Sequence, residues 1–166
     1  MANIKDADIY KQKIAEILLS DEIVVKLLTG EDSPVVPAKD LMYDVVYPYD
    51  WMDNTSLTAG AYVCVDVDIP SVSTKNVKNC TITIWVMCHQ NAMCLRGTNM
   101  YNLSYVGGTR RDKLCDRIDY LLNGCTNIGL GQVELIRANR FDPGGMYYGR
   151  ELVYHVQEFN RPYEKL

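Results

Sequence analysis

The chain has 166 residues, 48% hydrophobic and 23% charged, the balance of a folded domain and not of a disordered tail. Seventeen Lys and Arg against twenty-one Asp and Glu leave a formal charge of -4 and a pI near 5.1, so no overall basic field exists to hold nucleic acid by phosphate neutralisation. The polar N-terminus carries no apolar leader and the apolar runs are too short to cross a bilayer, which predicts a soluble, unexported protein built as one domain over residues 1–166.

Residues 6–19 place Ile9, Ile14, Ile17 and Leu18 near helical spacing. Ser20, Asp21 and Glu22 then supply a capping residue and first-turn acids for a second short helix, with Ile23, Val24, Leu27 and Leu28 as its apolar face. Gly30 stands where a left-handed C-cap is cheapest, so the N-terminal helices occupy residues 1–30. Residues 31–60 show no sustained period. Pro34, Pro37, Pro48, Asn54 and Gly60 punctuate a stretch dense in rings (Tyr43, Tyr47, Tyr49, Trp51), and this is expected to be an extended irregular arm; structureless connectors of that length tend to be functional.

An α+β core is expected over residues 61–166. Residues 61–69 alternate, with Val63, Val65, Val67 and Ile69 on one face and Tyr62, Cys64, Asp66 and Asp68 on the other, as in a half-buried strand. The run CTITIWVMCH puts Ile82, Ile84, Val86 and Cys88 on one face and Thr81, Thr83, Trp85 and Met87 on the other, and it pairs most simply with its predecessor as a hairpin. After a second irregular stretch, residues 91–108, Thr109 and Asp112 form an approximate capping box. The helix it opens buries Leu114, Ile118, Leu121 and Leu122 and ends at Gly124. Residues 131–138 and 151–159 are two further strands separated by the turn-rich DPGGMYYG. The sum is a mainly antiparallel sheet of about four strands with helices packed on one face, whose core gathers Val63, Val65, Val67, Ile82, Ile84, Val86, Leu114, Ile118, Leu121, Leu152, Tyr154 and Val156.

Chemistry is sparse. Cys64, Cys80, Cys88, Cys94, Cys115 and Cys125 read as reduced thiols in a chain without an export signal. Cys80, Cys88, His89 and Cys94 have soft-ligand chemistry, but the neighbours Cys88 and His89 point to opposite faces of a strand, so no metal site is expected. His89 and His155 lie in no nucleophile or metallohydrolase pattern, and DPGGMYYG lacks the order of a phosphate-binding loop. No catalytic residue and no cofactor are expected. Asp66 and Asp68 share one strand face and could hold a cation, though such pairs are more often the wet side of a sheet. Arg110, Arg111, Lys113 and Arg117 oppose the macrodipole at a helix N-terminus, so they are either a solvated face paired with Asp112, Asp116 and Asp119 or a surface for a neighbour's carboxylates. Twelve Tyr against two Phe and two Trp favour a protein that contacts partners.

The segments YPYDW, YVCVDVDIP, TITIWVMCHQ, GGTRRDKLCDRIDYLLNG, GLGQVELI and YGRELVYHVQEFN together resemble neck proteins of tailed bacteriophages that infect Gram-positive hosts, especially tail terminator and tail completion proteins. The resemblance covers most of the chain from Tyr47 onward, and the arm over residues 31–60 is long for that family. It implies a hexameric ring that caps the tail tube, docks to the head connector or stopper protein, and lets genomic DNA pass without specific binding. It implies a place in the virion neck, after assembly in the host cytoplasm, and no membrane partner. Head-completion and stopper proteins of the adjoining ring are the nearest alternative. A cytosolic ligand-binding α+β protein, an enzyme, or a nucleic-acid binder using the Arg110 helix follow at a distance. Within the ring reading, Tyr47, Tyr49, Trp51, Arg110, Arg111 and Arg117 are the expected interface, and Asp66 and Asp68 are the expected channel-facing residues.

Overall fold

The computed structural model describes residues 5–30, 37–50, 58–71, 77–95, 108–128 and 131–159. Helix α1 spans Lys5–Ser20 and α2 spans Glu22–Thr29. The cap between them is Asp21 and not Ser20: the Asp21 carboxylate accepts the Val24 amide at 3.0 Å, while the Ser20 hydroxyl donates back to the Ile17 carbonyl and closes α1. Gly30 ends α2 as expected, at φ 76°, where its amide reaches the Lys26 carbonyl at 2.8 Å. In α1 the outward residue is Ile9, 46% exposed, and Tyr10 takes the inward position.

Among the described residues five strands follow: β1 (Val46–Tyr47), β2 (Ala61–Ser71), β3 (Val77–His89), β4 (Glu134–Phe141) and β5 (Tyr147–Phe159), ordered β1-β2-β3-β5-β4. Helix α3, Arg110–Leu122, lies between β3 and β4 in sequence. Every pairing is antiparallel except β1 with β2, so the α+β class holds, with one strand more than expected. The addition comes from the arm. Ala38–Leu41 forms a 3-10 turn, Tyr43 adopts φ 66° with its amide on the Val46 carbonyl, and the two-residue β1 then lies parallel to Val63 and Cys64. Leu41 and Val46 are buried in the main core, so this part of the arm is folded onto the sheet. A two-residue strand has no period to read, which is why alternation missed it.

The three helices cover one face of the sheet. Val63, Val65 and Val67 of β2, Ile82, Ile84 and Val86 of β3, and Leu152, Tyr154 and Val156 of β5 meet Leu114 and Ile118 of α3 in one buried cluster. Leu121 sits at its margin, partly buried. Side chains such as Ile82 and Ile84, with no remaining exposure, each contribute about 1.5 to 3 kcal/mol by leaving water. Polar contacts also fix the helices to the sheet. The Tyr154 hydroxyl donates to Asp119 of α3 at 3.2 Å, and the fully buried Lys78 pairs with Asp6 of α1 beneath the Tyr10 ring. A charge that deep is tolerated only when paired.

Candidate functional site

Among the described residues the helices lie on one face, and strand alternation decides what the other face shows. At one end Tyr62, Cys64 and Met87 gather with Tyr47 and Tyr147 in a second, smaller apolar cluster, against which Trp85 and Phe141 pack. Its rings meet edge to face, with centroids 6.1 Å apart for Tyr62 and Tyr147, 5.0 Å for His89 and Tyr147, and 5.7 Å for Tyr47 and Tyr49. The Tyr62 and Tyr147 hydroxyls both donate to the Thr58 carbonyl, at 2.8 and 2.9 Å. Beside this cluster is a recess of about 190 Å³ lined by Asp50, Cys64, Trp85 and Phe141. Gly149 is a condition of that shape, because a Cβ there would stand 2.5 Å from the Phe141 ring and 3.0 Å from its carbonyl.

Toward the other end the same face turns acidic. Asp66 and Asp68 of β2 and Glu134 of β4 lie there by register, with Arg137 as the strand cation among them, and Glu151 of β5 stands on the same face beside Trp85. Arg137 reaches Glu151 at 3.1 Å and Lys11 of α1 reaches Asp66 at 2.6 Å, while Asp68 is exposed. The expected channel-facing pair is thus side by side on one sheet face.

On the helical side, Thr109 caps α3 by accepting the Asp112 amide at 3.1 Å. Arg111 and Arg150 share the Asp112 carboxylate at 2.9 and 3.4 Å. Burial pushes that carboxyl up, but the hydrogen bonds from Thr109 and Arg111 and the charges of Arg111 and Arg150 hold it below the ordinary range. The Arg110 guanidinium packs where a Gly30 side chain would otherwise lie. Arg140 stands directly across the β4 and β5 pair from Arg150, so two like charges face one another on the rim of this patch.

The expected interface residues therefore separate. Tyr47 is 7% exposed, its hydroxyl donates to the Asp44 carbonyl at 2.8 Å, and burial raises its pKa to about 12, so this ring packs within its own sheet. Arg117 is likewise engaged within the chain, its guanidinium forked onto Asp21 with the closest contact at 2.6 Å. Tyr49 is 40% exposed and Arg110 and Arg111 are half-buried, while Trp51 lies outside the described residues. Sequence reasoning missed the recess and the contribution of Arg140 and Arg150. Alternation had already set Trp85 opposite the core, but only the sheet order brings Phe141 and Asp50 to it.

Cys64, Cys80, Cys88 and Cys115 are buried, and burial lifts the thiols of Cys88 and Cys115 to about 11 and about 12. Among the described residues no three His, Cys, Asp or Glu side chains gather as metal ligands, and no helix is long and apolar enough to cross a membrane.

Compared with known proteins, residues 21–156 match the model of the YomW family, and the chain belongs to that phage-associated family. No curated protein matches it. The matched span begins at the Asp21 cap and ends within β5, so it takes in the sheet, α2 and α3.

Proposed function

We propose that this member of the YomW family is a virion structural protein of the phage head–tail interface, a tail terminator whose copies form a ring that caps the tail tube and docks to the head connector. The observation that supports it is the sheet face that no described helix covers, acidic at one end and aromatic at the other. A duplex sliding through a ring is released freely by a wall that repels phosphate and held back by one that attracts it. Asp66 and Asp68, with Glu134 and Glu151 on the same sheet face, suit the lumen; Tyr49, Trp51, Arg110 and Arg111 suit the contacts around it. In this reading the chain does no chemistry, holds no cofactor, and works in the virion neck after assembly in the host cytoplasm.

Light scattering on the purified chain and cryo-electron microscopy of the virion neck test this. The expected result is a hexamer above the tail tube with more acidic than basic side chains on its channel wall. A chain that stays monomeric, or a ring with a net positive lumen, contradicts the reading, and density one ring nearer the head reassigns the chain as a stopper.

A further inference from the structure

We propose that the recess between Trp85 and Phe141 receives Arg140 of a second copy of this chain, so that the basic patch of one copy docks head to tail on the aromatic end of the next. This rests on the ring reading above and names its subunit contact.

The recess selects for a long cationic side chain. Its floor is the fully buried Cys64, its walls are the half-buried Trp85 and Phe141, and the exposed Asp50 stands at its rim. A volume of about 190 Å³ is on the scale of one large side chain and not of a folded segment. Aromatic walls with a carboxylate at the mouth are the setting in which a guanidinium stacks and forks at once. The sign of the surrounding face agrees, since Asp66, Asp68, Glu134 and Glu151 outweigh Arg137 and the Lys11 that reaches Asp66, and an anionic occupant would be repelled.

The opposite side of the sheet offers the matching cation. Arg111 and Arg150 are tied to Asp112 and Arg110 is packed on Gly30, whereas Arg140 is exposed on β4. It is also opposed by Arg150 across the strand pair, an unfavourable like-charge contact that a neighbour's carboxylate relieves. Because the two surfaces differ, the contact is heterologous, and copies joined this way follow one another around a ring when the rotation closes.

The test uses the full chain and two exposed positions, Asp50→Arg and Arg140→Asp, each followed by light scattering and circular dichroism. The expected result is that wild type forms rings while each variant alone is a folded monomer. An equimolar mixture of the two associates again, because each variant keeps the surface that the other has lost. The neutral variants Asp50→Asn and Arg140→Gln are expected to raise the concentration at which rings form. Rings from both reversal variants, or a mixture that stays monomeric, overturn the contact and leave the ring reading standing. A wild-type chain that is itself monomeric overturns both.

Discussion

Asp21 performs two tasks with one carboxylate, and substitutions can separate them. It caps α2 through the Val24 amide, and it takes the Arg117 guanidinium from α3, with Nε at 3.1 Å and a terminal nitrogen at 2.6 Å. An N-cap removed to alanine costs about 1 kcal/mol. The ion pair exceeds the usual surface value because its side chains are only 12% and 29% exposed, and hydrogen bonds between charged groups contribute about 1.5 to 3 kcal/mol before the cost of ordering both side chains. Asp21→Ala is therefore expected to lose about 2 to 3 kcal/mol in urea melts. Asp21→Asn, which can still cap, should lose about 1 to 2 kcal/mol. A double-mutant cycle with Arg117→Gln isolates the pair, with an expected coupling of about 1 kcal/mol. pH gives an independent reading. Burial raises the Asp21 carboxyl, but the Arg117 hydrogen bond, the Val24 amide and the Arg117 charge together hold it below its ordinary value of 3.8. Its stabilisation is thus fully present above that ordinary value and lost as pH falls through the lower, folded-state value. Asp21→Asn should flatten the acid limb of stability below about pH 4. Equal losses for Asn and Ala would refute the capping role, and coupling within about 0.3 kcal/mol of zero would refute the pair.

Three further outcomes are expected. Ile84→Ala, at a site with no exposure, should cost about 2 to 5 kcal/mol by chemical denaturation, and a loss within about half a kcal/mol would place it outside the core. Gly149→Ala forces a Cβ to within 2.5 Å of the Phe141 ring, so it should destabilise by about 1 to 3 kcal/mol and speed amide exchange in β4; unchanged exchange there would show that the strand yields without cost. In the folded protein at pH 8, alkylation should mark the exposed Cys94 quickly and leave Cys88 and Cys115 untouched, their thiols being raised to about 11 and about 12 by burial; mass spectrometry of unreduced protein should show free thiols throughout and metal analysis no stoichiometric zinc, and paired thiols or bound zinc would contradict this.

Legibility followed the range of the signal. The hairpin of β2 and β3 was readable because Val63, Val65 and Val67 alternate with Tyr62, Cys64 and Asp66, and a one-residue slip would expose the whole apolar set. Helix α3 was readable from the Thr109 cap and the stripe through Leu114 and Ile118. The start of β5 is not legible locally, because Tyr147, Tyr148 and Gly149 look like turn residues until β3 supplies partners out to His89. Within the arm, the density of Tyr rings was visible but not their direction: Tyr47 turns inward because β1 pairs with β2, whereas Tyr49 two residues on stays at the surface.

Local periodicity, capping chemistry and composition act between residues a few positions apart, so the sequence by itself determined which segments become helices and strands, which face of each is apolar, and that the fold is α+β. What those forces do not reach is the pairing of surfaces distant in the chain. Arg117 was a cation on a helix until the packing of α2 on α3 brought Asp21 to it, 96 positions away. Trp85 was a ring on the wrong side of a strand until β5 and β4 added themselves beyond β3 and set Phe141 beside it, and Arg140 met Arg150 by the same pairing. Sheet order is chosen by the burial of the whole apolar face at once, a cooperative condition no single segment encodes, and the recess and the basic patch exist only as its consequence.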